Sequence, residues 1–172
     1  MERSISPQEE LMANGKAEYN KATKEAQKDK ADLVAVLALL ERAIELGSHD
    51  AQYALATWYL FGKGVKRDYT KAVKLLRKCA NSVANASYDL AVCYEKGKGV
   101  EQDKATAFQY YMQSALLGDN QAYFEVGRCF FYGIGVKKNR SLGGLWIEKA
   151  KVLGYDDSQH SRSRVKTSTG SR

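Results

Sequence analysis

Three cysteines, Cys79, Cys93 and Cys129, and two histidines, His49 and His160, are the residues of this chain best suited to bind a metal, form a disulfide or carry out nucleophilic attack. Their number and spacing argue against all three. The cysteines are odd in number, no Cys-x-x-Cys pair occurs, and two histidines cannot complete a zinc site of the usual spacing. Free cysteine behaves as a small apolar residue, so buried, reduced thiols are expected. The repeated Gly-x-Gly segments, Gly62 to Gly64, Gly97 to Gly99 and Gly133 to Gly135, could be mistaken for phosphate-cradling loops. Such loops follow a strand and open a helix, whereas these follow a helical pattern. No catalytic, cofactor-binding or metal-ligating residue is expected, and the chain is not expected to be an enzyme.

The elements around those glycines form an internal repeat. Ala51-Gln-Tyr-Ala-Leu-Ala-Thr-Trp-Tyr-Leu-Phe-Gly-Lys-Gly-Val65 recurs as Ala86 to Val100 and again as Ala122 to Val136, at offsets of 35 and 36 residues. Small and apolar residues such as Ala51, Leu55, Ala56 and Tyr59 fall at helical spacing, so one face of a first helix is buried. Gly62, Gly97 and Gly133 are placed to end that helix in a left-handed cap, with Val65, Val100 and Val136 returning to the core. Asp68, Asp103 and Asn139 then suit the amino-terminal cap of a second helix. Each unit is a helix, a glycine turn and a helix.

The register extends upstream, since Glu41 to Gly47 recurs as Glu148 to Gly154. Ser6 followed by Pro7 marks the start of a long polar helix expected to run to about Lys28, with Gln27 to Asp32 a charged linker. The organisation expected is a divergent capping pair over 1–50, three repeats over 51–157 (51–85, 86–121 and 122–157), and a basic tail over 158–172. Terminal repeats are commonly atypical because one side faces water.

With 172 residues and 44% apolar composition, the chain can bury a real core. Its longest apolar stretch, Leu33 to Leu40, is far short of the roughly 20 residues that span a bilayer. The first ten residues lack the layout of a secretory signal, so a cytoplasmic location is expected. The net charge is +7, and the tail from Ser158 holds Arg162, Arg164, Lys166 and Arg172 with no acid, which leaves +3 for the rest. Disorder is expected of that tail. It reads as a solubilising end, with binding to an acidic partner, nucleic acid or membrane surface as the alternative.

These motifs resemble the Sel-one-like repeat family, relatives of the tetratricopeptide repeats, whose pattern is small-x-x-x-Leu-small-x-x-Tyr-x-x-Gly-x-Gly-Val-x-x-Asp-x-x-x-Ala. The resemblance covers Ala51 to Ser158 well and the first fifty residues loosely. Val83 replaces the inter-repeat glycine, Asn139 an aspartate and Gly143 an alanine. The resemblance implies an all-α fold, an α-solenoid of about four antiparallel helix pairs in a right-handed superhelix, with the first helix of each pair lining a concave groove. Some cysteine-rich members join each pair by a disulfide. Here Cys79 has a matching place but Ser87 stands near its partner's position, which favours the reduced branch. The groove-facing positions implied are Tyr53, Thr57, Leu60 and Phe61, then Tyr88, Val92, Glu95 and Lys96, then Phe124, Arg128, Phe131 and Tyr132. Aromatics and arginine dominate binding hot spots, although Tyr53, Tyr88 and Phe124 could equally form a ladder between repeats. The function expected is an adaptor or scaffold that binds another protein or peptide in this groove. The alternative is a dedicated inhibitor or immunity-type protein that blocks one enzyme or toxin. No cofactor is expected, nucleic-acid binding is confined to the tail, and self-association through the last helix is open.

Overall fold

The computed structural model describes residues 6–155; the basic tail, including His160, lies outside the described residues. Among those residues are eight α-helices and no strand: α1 (Pro7–Ala26), α2 (Leu33–Glu45), α3 (His49–Phe61), α4 (Tyr69–Cys79), α5 (Ala84–Lys96), α6 (Lys104–Leu116), α7 (Asn120–Tyr132) and α8 (Arg140–Val152). Local chemistry sets most of the ends. Ser6 Oγ accepts from the Glu9 N–H while Glu9 returns a carboxylate to the Ser6 N–H, a reciprocal cap that starts α1. Asp68, Asp103 and Asn139 cap α4, α6 and α8 through their side-chain oxygens. Each such cap stabilises its helix by about 1 kcal/mol. Gly62, Gly97 and Gly133 adopt the left-handed conformation, with φ of 73°, 64° and 76°, and close α3, α5 and α7.

Packing follows the pairs. Each odd-numbered helix lies mainly against the even-numbered helix after it, and each pair lies against the next, so the core is a line of linked clusters rather than one centre. Alanines hold the crossings: Ala51, Ala56, Ala72, Ala86, Ala91 and Ala122 are all fully buried. Val65, Val100 and Val136 pack half-buried against these clusters, as the turn geometry requires. The divergent first pair joins the stack through Ala22, Val36 and Leu40, which share a cluster with Leu55 and Trp58.

Two departures from the repeat have physical explanations. Val83, at φ −121°, stands at the N-cap of α5, the place that Ser48 and Asp119 hold before α3 and α7, and it has no side-chain oxygen to offer; Ser82, not Val83, stands where Gly47 and Gly118 take a positive φ. That turn is instead tied down from outside, with Ser87 Oγ donating to the Ala80 carbonyl at 2.6 Å and Gln113 Nε2 to Asn81 Oδ1 at 2.6 Å. In the last repeat, glycine replaces alanine on both sides of the crossing. A Cβ on Gly127 would lie 2.9 Å from the Gly143 carbonyl oxygen, and one on Gly143 would lie 2.7 Å from the Phe131 nitrogen. Loss of both methyl groups therefore lets α7 and α8 approach more closely than an alanine pair allows.

Candidate functional site

The positions expected to line the groove fall on the first helices α3, α5 and α7, and their side chains have three different fates. Tyr53 and Tyr88 each reach the next first helix, whereas Phe124 packs on the residue that follows α8 in its own repeat. The Tyr53 hydroxyl donates to Asp89 Oδ2 at 3.2 Å, Gln121 Nε2 donates to the Tyr88 hydroxyl at 2.7 Å, and Phe124 packs on Tyr155 with ring centroids 5.0 Å apart. Tyr88 also meets Tyr111 edge-on at 5.5 Å. Tyr53 and Tyr88 therefore tie repeat to repeat, and all three rings of the column stay half-exposed.

A second group forms a charged network. Arg128 donates from Nε to Glu125 and from Nη2 to both oxygens of Glu95, at 2.8 and 2.9 Å, and the Tyr111 hydroxyl donates to Glu95 Oε2 at 2.7 Å. Side-chain exposures of 15% for Arg128, 18% for Glu95 and 7% for Glu125 show how little water reaches it. Burial alone would push Glu95 up, but the hydrogen bonds from Tyr111 and Arg128 outweigh it and hold the carboxyl below its ordinary value. Burial also works against the Arg128 charge, and Glu125 and Glu95 more than offset it. Thr57 is half-buried, and its hydroxyl donates back to the Ala54 carbonyl of its own helix at 2.7 Å. Leu60 is a core residue, 8% exposed.

The third group is free to meet a partner. Phe61 is 75% and Tyr132 65% exposed, at the last turns of α3 and α7, and Lys96 is exposed in the same column of α5. Phe131 is half-buried between Tyr132, at 5.1 Å, and the Arg140 guanidinium, 5.6 Å from its ring centre. Beside Phe61 a cleft of about 250 Å³ opens between the first two repeats, walled by Phe61, Arg67, Tyr69, Asp89, Val92 and Lys98. Arg67 and Lys98 sit over the Tyr69 ring at 5.5 and 5.3 Å. Burial pushes the Asp89 carboxyl up to about 6, with the Tyr53 hydrogen bond pulling partly back.

Arg67, Tyr69, Asp89 and Lys98 were not among the groove positions read from the sequence. Asp89 lies one residue past the tyrosine column, and only the way α5 leans on α3 turns it into the cleft. The three cysteines are buried and free, and burial pushes the thiols up, to about 11 for Cys79 and Cys93 and about 12 for Cys129. They are packing residues with little thiolate at neutral pH. No helix among the described residues is long and apolar enough to cross a membrane.

A line of helix pairs, the last three each turned by a glycine pair and all packed one against the next, defines an α-solenoid repeat protein. The Sel1 repeat model matches residues 49–82, 84–119 and 120–155, and the chain belongs to the Sel1, or Sel-one-like, repeat family. Members of this family are in general protein-interaction modules. Among solved structures, the chain is similar to a protective antigen of uropathogenic Escherichia coli that displays this fold, at 28% identity and a TM-score of 0.79 over 88% of this chain and 34% of the antigen. It is similar to a Sel1 repeat protein of Oxalobacter formigenes at 21% identity and a TM-score of 0.76, over 86% of this chain and 62% of that one. It is also similar to an immunity protein of Pseudomonas aeruginosa at 25% identity and a TM-score of 0.57, over 89% of this chain and 56% of that one. The chain thus spans about a third of the antigen and less than two thirds of the other two. None of the curated protein sequences matches it.

Proposed function

We propose that this protein is a non-catalytic adaptor that holds a partner protein or peptide on the face formed by α3, α5 and α7. The observation that carries the reading is the pairing of an exposed aromatic, Phe61, with an inter-repeat cleft beside it. Aromatic rings seated beside pockets are the residues that most often anchor protein interfaces. Tyr132 offers a second anchor two units along. Tyr53, Tyr88 and Phe124 set the floor between them. Arg128 and Glu95 act as scaffold for that floor, because each already meets its hydrogen-bonding needs within the chain.

The test is affinity capture from the native cell extract with wild type and with a Phe61→Ala, Tyr132→Ala variant. Both residues are exposed, so the variant keeps its helicity. Loss of a wild-type partner supports the reading, and retention of every partner refutes it. A second reading, an immunity-type protein that blocks one enzyme or toxin, is favoured by the likeness to the Pseudomonas aeruginosa immunity protein. It requires one stoichiometric complex in which an activity is abolished, whereas an adaptor bridges two proteins and leaves both active.

A further inference from the structure

The repeat segregates charge in a way that the composition hides. The three glycine turns and the residues flanking them, 61–71, 96–104 and 132–140, carry ten lysines and arginines against three carboxylates. The turns that join one repeat to the next, 45–51, 79–85, 116–121 and 152–155, carry three carboxylates, Glu45, Asp50 and Asp119, and no lysine or arginine, while the last helical turns before them hold Arg42, Arg77, Lys78, Lys149 and Lys151. Every glycine turn follows a first helix, and the first helices lie side by side, so the basic segments gather on one edge. Consecutive turns touch the preceding pair: a Cβ on Gly99 would run into the Tyr69 backbone, and one on Gly135 into that of Lys104.

Those ten cations take no part in the ion pairs of the described residues. Those pairs are Lys21 with Glu18, Lys28 with Glu25, Arg42 with Glu45, and Arg128 with Glu95 and Glu125. Four of the ten stand over aromatic rings, Arg67 and Lys98 at Tyr69, Lys71 at Tyr59 and Arg140 at Phe131. Two of the three carboxylates there, Asp68 and Asp103, are occupied as helix caps. An excess of like charge over the few carboxylates nearby is self-repelling, and a partner that supplies the opposite sign relieves that repulsion.

We infer that the glycine-turn edge binds an acidic segment of the partner protein, a run of aspartate and glutamate side chains interrupted by an apolar residue. The carboxylates lie along Lys66, Arg67, Lys98, Lys137 and Lys138, and the apolar side chain enters the cleft beside Phe61. That cleft decides between acidic protein and nucleic acid, because its walls are Phe61 and Val92 with Arg67 and Lys98 alongside. It suits an apolar side chain flanked by carboxylates. Asp89, the one acid lining the cleft, is bonded to the Tyr53 hydroxyl. The inference rests on the reading that the chain holds a protein, and it specifies that protein's chemistry.

The test uses the full chain and a fluorescein-labelled fourteen-residue probe peptide of alternating Glu and Asp with a central Leu-Phe pair. Anisotropy titrations at low and moderate salt compare it with a lysine counterpart, a single-stranded DNA oligonucleotide and vesicles containing phosphatidylserine. The acidic peptide is expected to bind, and to weaken about tenfold or more as salt rises beyond the point where the screening length falls below about 10 Å. The variant K66Q/R67Q/K98Q/K137Q/K138Q loses most of that binding with its circular dichroism unchanged. Phe61→Ala also weakens binding but keeps the salt dependence. Absence of acidic-peptide binding overturns the inference, as does equal binding by the five-site variant. DNA or vesicles binding more tightly than the peptide, with Phe61→Ala without effect, overturns it in favour of an anionic polymer or surface. A partner captured from extract that stays bound to the five-site variant leaves the protein-binding reading standing and removes this one alone.

Discussion

Arg128→Leu is the substitution whose consequences the structure defines most fully. Leucine removes a guanidinium that serves two carboxylates at once, and neither Glu125 nor Glu95 can turn to water, given exposures of 7% and 18%. Breaking a buried ion pair from one side costs about 3–5 kcal/mol, because the remaining charge is left desolvated. For a chain of this size each kcal/mol moves the midpoint by about 2–4 °C, so a fall of roughly 6–20 °C is expected at pH 7. The dependence on pH has a definite sign. In the wild type, Glu95 is held below its ordinary value, so its contribution is present at neutral pH and is lost as pH falls through that lowered value. Without Arg128 one of the two hydrogen-bond donors that oppose burial is gone, the carboxyl moves up, and the variant regains stability as the proton is taken up. The gap between the two proteins therefore narrows between pH 7 and pH 4.5. Urea denaturation followed by circular dichroism at both pH values measures it, and hydrogen exchange should place the loss in α5 to α7. A difference under about 1 kcal/mol at pH 7 would match an exposed pair. That result, or a gap that does not narrow, would refute the account of a buried network.

Other substitutions test separate parts of the structure. Gly127→Ala should destabilise by about 1–3 kcal/mol through overpacking at the α7–α8 crossing, whereas Gly144→Ala, on the same helix as Gly143 but with open space around it, should stabilise by about 0.5–1 kcal/mol; thermal melts of the two variants decide it. Asp89 is raised to about 6 by burial, so the wild type gains stability as pH falls from 7 through 6 towards the ordinary carboxylate range. Asp89→Asn keeps an acceptor for Tyr53 and should be more stable than wild type at pH 7.5 by roughly 1–3 kcal/mol, an advantage that fades by pH 4.5. The three buried thiols should resist an aromatic disulfide reagent at pH 8 in the native protein and react together in urea, so fast labelling of any one of them in the folded chain would contradict its burial.

Much of the fold was legible because the signals are local and repeated. Ser6 with Pro7, the Asp and Asn caps, and the glycine after each first helix act over four or five residues, and three copies in register remove ambiguity about helix limits. The close approach of α7 and α8 was not legible, because deleting a methyl group tightens a helix pair only if the partner helix follows. The exposure of Phe61 and Tyr132 was legible from their place before the terminating glycine, where the turn leaves one flank uncovered. Arg128, Glu95 and Tyr53 occupy equally plausible positions in the periodic pattern. Their engagement depends on Glu125, Tyr111 and Asp89, which stand on other helices or one residue off the column.

The sequence by itself determined that this chain is a stack of helix pairs with an odd number of cysteines. Periodicity and capping are properties of neighbouring residues, and a cysteine count needs no coordinates. Tertiary structure decided which residues of one repeated column are engaged by the next unit and which remain open, and it gathered the turn cations onto one edge. Both are matters of what lies within a few ångströms across the stack, where burial, hydrogen-bond geometry and unpaired charge are set by residues some thirty-five positions away.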